Sequence, residues 1–166
     1  MGCHVKDTPI IMADGTKKMV QDVVVGDKIM GVNNQVRTVE SLIRGNDRLF
    51  KINQSRAESY VVNEGHILSL IYTSEIGYNG FKNGDVVNIS VHDFIEIPDD
   101  KKDDFVGYKF STKPTEDNIS TITVEEVEPG DFYGFELDGD RLYLINDGTV
   151  THNCRTANLV DINGFD

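Results

Sequence analysis

Long apolar runs, basic residues and cysteines are all scarce in this chain. No hydrophobic stretch approaches the ~18 residues that a helical membrane span needs, and no secretory-type apolar segment follows Met1. The chain is therefore expected to stay off the membrane and to be cytoplasmic. Lys and Arg number 16 against 28 Asp and Glu, for a net charge of −12. A surface of that sign repels phosphate backbones, so no nucleic-acid partner is expected. Only Cys3 and Cys154 carry thiols. One disulfide at most could form, and any chemical role needs both thiols reduced, in keeping with a reducing compartment. Zinc-finger spacing is missing, and Asp138-Gly-Asp140 lacks the glycine and the final acid of a calcium loop. No resident metal or cofactor is expected. Repeats and low-complexity tracts are also absent, which leaves one folded domain, expected to be a monomer.

What is present is a succession of short strand-like runs divided by turn residues. Pro9–Met12, Met19-Val20 with Val23–Val25, Lys28–Met30, Val36–Val39, Arg48–Ile52 and Ile67–Tyr72 come first. Val86–Ile89, Phe105–Phe110, Thr121–Val124, Phe132–Leu137 and Leu142–Ile145 follow. Gly, Asn and Asp punctuate them, as at Asp14-Gly15 and Gly26-Asp27, which predicts an all-β domain. One helical stretch is predicted at Val91–Ile97, with Ser90 as its N-cap. Residues 73–85 and 111–119 have loop composition.

The two thiols stand at opposite ends of this segment, and the second directly follows His152-Asn153. An asparagine side-chain amide can attack its own backbone carbonyl, closing a succinimide and breaking the next peptide bond. A thiol beyond that bond can first have accepted an acyl group from the other end. The surrounding residues bear on this chemistry. From Cys3, the run Cys-His-Val-Lys-Asp-Thr-Pro-Ile-Ile-Met-Ala-Asp-Gly15 continues through Val23-Val-Val-Gly-Asp27 to Gly31. It resembles the N-terminal splicing block of inteins. Asn63-Glu-Gly-His66 resembles their second block, Tyr133 to Asn146 the penultimate one, and Gly148-Thr-Val-Thr-His-Asn153-Cys154 the last.

The resemblance implies a Hint-type β-fold, a flattened horseshoe of short strands with one or two short helices that gathers both splice junctions. It divides the chain into an N-extein remnant (1–2), a mini-intein domain (3–153) and a C-extein remnant (154–166). No pair of homing-endonuclease helices interrupts it. The flanking extein segments, in cis, would be its partners. Cys3 is implied as the first nucleophile, attacking the Gly2 carbonyl, with His66 as the acid at the Cys3 nitrogen. Asn63 stands where Thr is usual and would offer a polar group to the scissile amide or oxyanion. Cys154 would take over the acyl group, Asn153 would cyclise, and His152 would donate to the Asn153 carbonyl oxygen. Gly134 and Arg141 occupy places often held by Asp and His. Arg141 cannot serve as a base and would stabilise an oxyanion.

Glu136, Asp138 and Asp140 read as a solvated acidic face, His4 as packing or surface, and His92 as structural. A junction cleft holding Cys3, Cys154, His66 and His152 is expected to trap Zn²⁺ as an inhibitor. Two alternatives remain at this stage: a Hint-type domain that cleaves without ligation, and a non-catalytic acidic β-domain for protein binding.

Overall fold

The computed structural model describes residues 3–153. In chain order its strands are β1 (His4–Val5), β2 (Pro9–Ile11), β3 (Lys17–Met19), β4 (Lys28–Met30), β5 (Val36–Gln54) and β6 (Tyr60–Asn63). After these come β7 (Ile67–Tyr72), β8 (Val86–Ser90), β9 (Phe105–Tyr108), β10 (Ile119–Leu137), β11 (Leu142–Ile145) and β12 (Thr149–His152). Two short helices, α1 (Val91–Ile95) and α2 (Asp99–Lys102), lie between β8 and β9. As predicted, Ser90 caps α1, its hydroxyl accepting from Asp93 N at 3.1 Å. The helix stops at Ile95, short of the predicted Ile97, and Pro98 shortly beyond opposes any continuation.

Four of the predicted strands are pieces of two long ones. Residues 36–39 and 48–52 belong to β5, and 121–124 and 132–137 to β10, each 19 residues long. The turn composition of Arg44-Gly-Asn-Asp47 predicts a break in β5 that does not occur. Those residues stay extended because β10 pairs alongside, from Ile122 opposite Gln54 to Leu137 opposite Val39. Gly45 is required there: a Cβ on it would lie 2.4 Å from the Phe132 ring. Pro129, which has no N–H for a ladder, falls where the register shifts between Val127 and Gly130. The predicted strand at Val23–Val25 does not form. Val23 is buried while Val24 and Val25 both face out, a pattern that no period of two allows. The Asp27 carboxylate holds this turn instead, accepting from Val24 N at 3.0 Å and from the Lys18 ammonium at 2.9 Å.

An eight-stranded sheet runs β4-β5-β6-β1-β10-β9-β7-β8, and a four-stranded one β12-β11-β2-β3. The long pair β5 and β10 carries the horseshoe. Two placements matter for chemistry. Short β1 is wedged between β6 and β10, with His4 opposite Val62 on one side and Tyr133 on the other. At the other end of the chain, β12 pairs with β11, with His152 opposite Leu142. The main core packs Ile10, Ile29, Ile52, Leu68, Phe94 and Phe135. A separate small cluster places Cys3 with Ile43, Leu49 and Phe132.

Candidate functional site

Cys3 is fully buried, and its backbone is clamped at two points by one residue. Its N–H donates to Asn63 Oδ1 at 2.8 Å, and Asn63 N donates back to the Cys3 carbonyl at 3.0 Å. A backbone N–H only donates, so the atom facing it must be the amide oxygen. Asn63 therefore grips the nitrogen of the Gly2–Cys3 bond, a place where the sequence reading could offer only a polar group. A tight turn follows, with His66 N donating to the Asn63 carbonyl at 3.2 Å, which carries the buried His66 ring into the same region. Its Nε2 lies 2.6 Å from Thr151 Oγ1, on β12.

His4 is buried, not at the surface, so of the two expectations for it packing holds. Its Nε2 meets the Tyr143 hydroxyl at 2.5 Å, and its ring centroid is 4.9 Å from that of His66. Burial pushes its pKa down to about 3, so the ring stays neutral at ordinary pH. In the unfolded chain the same imidazole titrates near its usual 6.5. The unfolded state then binds more protons below that pH, and stability is lost as the pH falls from about 6.5 toward about 3. The loss is about 1.4 kcal/mol per pH unit from this group. Denaturant unfolding at neutral pH and near pH 5 should show this slope, and His4→Asn should flatten it. An equally steep slope in the variant would assign the acid sensitivity elsewhere.

The C-terminal junction is organised through main-chain atoms. Asn153 N donates to the Arg141 carbonyl at 2.9 Å, and Leu137 N donates to Asn153 Oδ1 at 3.3 Å. The second contact fixes which branch of the amide is oxygen, and so the direction in which Nδ2 leads. The neighbouring His152 donates from Nδ1 to the Asn153 carbonyl oxygen at 2.8 Å, polarising the carbonyl that a cyclising amide attacks. The same region shows a register shift between Glu136 and Leu137.

The residues around this junction sort plainly. Arg141 is exposed, and what it brings to Asn153 is its carbonyl, presented from a left-handed backbone at φ 64°. Gly134 stands opposite Ile43 in the β5–β10 ladder, and its carbonyl accepts from Arg44 Nη1 at 3.2 Å. The acidic trio is engaged in structure and is more than a solvated face. Glu136 accepts from the Ser41 hydroxyl at 2.7 Å and Asp138 Oδ1 from Thr38 N at 2.9 Å. Asp140 pairs with Arg37 at 3.0 Å and also accepts from Leu142 N. His92 is exposed on α1, its Nδ1 3.3 Å from a Glu64 carboxylate oxygen and its backbone N donating to the Glu64 carbonyl at 3.0 Å. Gly2 and Cys154 lie outside the described residues. Among the described residues, no group of three or more His, Cys, Asp or Glu is placed to hold a metal ion. None of their helices is long and apolar enough to cross a membrane.

Thr151, Tyr143, Tyr60 and Leu137 are the site residues that sequence reasoning missed. Thr151 carried one faint signal, a hydroxyl alternating with Val150 directly before His152-Asn153. Leu137 contributes only a backbone N–H and could not have been found by residue type.

A β-domain that clamps a cysteine amide at one end and an asparagine at the other, on strands joined side by side, has the architecture of a self-processing Hint domain. Residues 3–116 match the family model described as Hom_end-associated Hint, and the chain belongs to that family. The fold is also that of solved splicing domains. The crystal structure of the gp41-1 intein superposes with a TM-score of 0.65 at 17% identity, covering 92% of this chain and 99% of that one. A DnaB intein from Synechocystis sp. PCC 6803 gives 0.61 at 14% identity, with coverages of 92% and 99%. A bacterial intein-like domain from Clostridium thermocellum gives 0.60 at 17% identity, again covering 92% and 99%. Among curated proteins, the catalytic subunit of the V-type proton ATPase of Candida tropicalis is 43% identical over 54 residues, 32% of this chain. The chain spans about 5% of that relative's length. The described residues make up one Hint domain with no endonuclease domain inserted in it.

Proposed function

We propose that the chain is an autocatalytic, single-turnover protein-splicing element acting on its own flanking segments in cis. The Cys3 thiolate attacks the Gly2 carbonyl, and the Gly2–Cys3 amide becomes a thioester while the Cys3 nitrogen gains a proton, delivered by His66. Asn63 holds that nitrogen in place. The Cys154 thiolate then displaces Cys3 from the acyl group. Asn153 Nδ2 attacks its own carbonyl, polarised by His152, and the Asn153–Cys154 bond breaks. A sulfur-to-nitrogen shift finally leaves an ordinary Gly2–Cys154 peptide bond. Arg141 takes part through its carbonyl, which steadies Asn153.

One observation carries this reading: hydrogen bonds tie both junction residues to a shared set of strands. Asn63, which grips Cys3, begins the turn to His66, and His66 bonds Thr151, two residues before Asn153. Holding reacting groups together in this way can supply effective molarities of ~10⁵–10⁸ M. The grip on Asn153 favours splicing over cleavage without ligation, because a domain that only makes the thioester has no use for a poised asparagine. The chain works as a monomer in a reducing, cytoplasmic setting, without nucleic acid, membrane or cofactor.

Intact-mass measurement before and after incubation with reductant tests the reading. Residues 3–153 ending in a succinimide, together with a ligated product beginning Met-Gly-Cys-Arg, are expected. A single unchanged species of 18.6 kDa under all conditions would overturn it. Zn²⁺ should inhibit by capturing the Cys3 and Cys154 thiolates, and chelator should restore the rate. If splicing ran equally fast with added Zn²⁺ and with chelator, the inhibition would be ruled out.

A further inference from the structure

We propose that Thr151 is a positioning residue that sets the tautomer of His66 and couples the first splice junction to the strand leading into the last step. Its kinetic consequence rests on the splicing reading above; its tautomer assignment rests on geometry. Thr151 and His66 are both fully buried, and Thr151 Oγ1 lies 2.6 Å from His66 Nε2. The Tyr60 hydroxyl reaches the same Thr151. Burial raises the Tyr60 pKa far above the usual phenol range, so Tyr60 keeps its proton at every pH of interest. A buried hydroxyl of this kind needs an acceptor, and Thr151 Oγ1 supplies one.

The Thr151 hydroxyl has one proton to give. The Ile67 carbonyl, at 3.5 Å, is too distant to compete with the imidazole at 2.6 Å. Protons are therefore ordered from Tyr60 to Thr151 and from Thr151 to His66 Nε2. A neutral imidazole that accepts at Nε2 carries its proton on Nδ1. His66 thereby keeps a defined N–H with which to hydrogen-bond the first junction and weaken its amide. The neighbouring His4 ring, neutral through burial, packs against it without adding a competing charge. Because Thr151 belongs to β12, the same hydroxyl joins the His66 turn to the strand that ends in His152.

The test separates hydroxyl from packing. Thr151→Val keeps the shape and removes the hydroxyl; Thr151→Ser keeps the hydroxyl and removes a methyl. With Asn153→Ala in place so that only the first junction reports, thiol-induced release of the N-terminal dipeptide is measured. The rate should fall about tenfold or more in Thr151→Val, part of the ~10²–10³ that one positioned hydrogen-bond donor supplies, and stay near parental in Thr151→Ser. A packing role reverses that order, and such a reversal, or a parental rate in Thr151→Val, overturns the proposal. Long-range nitrogen–proton NMR on the parent protein reads the ring directly. The Nδ1–H form of His66 is expected, and the Nε2–H form overturns the relay whatever the cleavage shows. A parent with the Nδ1–H ring but no thiol-induced cleavage overturns the splicing reading and leaves the relay standing.

Discussion

Asn153→Ala should abolish release of the C-terminal segment while leaving the first junction active. The substitution removes the only atom able to close the succinimide, so the loss is complete and not graded. By comparison, one hydrogen-bond donor aimed at a developing oxyanion, as His152 is at the Asn153 carbonyl, contributes about 10²–10³ in rate. Folding should survive, because the variant keeps the backbone N–H that donates to the Arg141 carbonyl, although it gives up the contact of Asn153 Oδ1 with Leu137 N. Losing that contact costs about 1 kcal/mol. Mass spectrometry after thiol treatment should find residues 3–166 intact and shortened only by Met1-Gly2. If the C-terminal segment still departed at the parental rate, cyclisation of Asn153 would be the wrong mechanism.

Cys3→Ala should eliminate both the thioester and the ligated product. The side chain sits fully buried beside Ile43, Leu49 and Phe132, so truncation to alanine leaves a small void and costs about 1 kcal/mol of stability. The clamp on its backbone from Asn63 uses only main-chain atoms of residue 3 and should persist. C-terminal cleavage should therefore continue, uncoupled from ligation. Hydroxylamine, which cuts thioesters, should release an N-terminal fragment from the parent and none from the variant. A ligated Met-Gly-Cys-Arg product made by Cys3→Ala would show that another nucleophile starts the reaction.

The strands at Lys28–Met30, Ile67–Tyr72 and Leu142–Ile145 were legible because short apolar runs between turn residues carry their own pattern. The continuity of β5 and β10 was not, since Arg44–Asp47 looks like a turn and is held extended by its pairing with Gly130–Tyr133. Strand β6, Tyr60–Asn63, went unread although it is no shorter than β4 or β11. The candidate site shows the same divide. Cys3, His66, His152 and Asn153 announce themselves by residue type and position. The parts played by Leu137 N and the Arg141 carbonyl belong to backbone atoms, which every residue has.

The sequence by itself determined which reactive groups exist and in what order: a thiol at the start, then Asn63 and His66, and His152-Asn153 before a second thiol. It determined these because nucleophilicity, acidity and succinimide closure are properties of side chains and their immediate neighbours. Tertiary structure alone decided who meets whom. Cys3 finds Asn63 across 60 positions, His66 finds Thr151 across 85, and His4 finds Tyr143 across 139. No local preference encodes such pairings. They follow from burying one continuous core and satisfying every strand ladder at once, which brings β1 between β6 and β10 and sets β12 against β11.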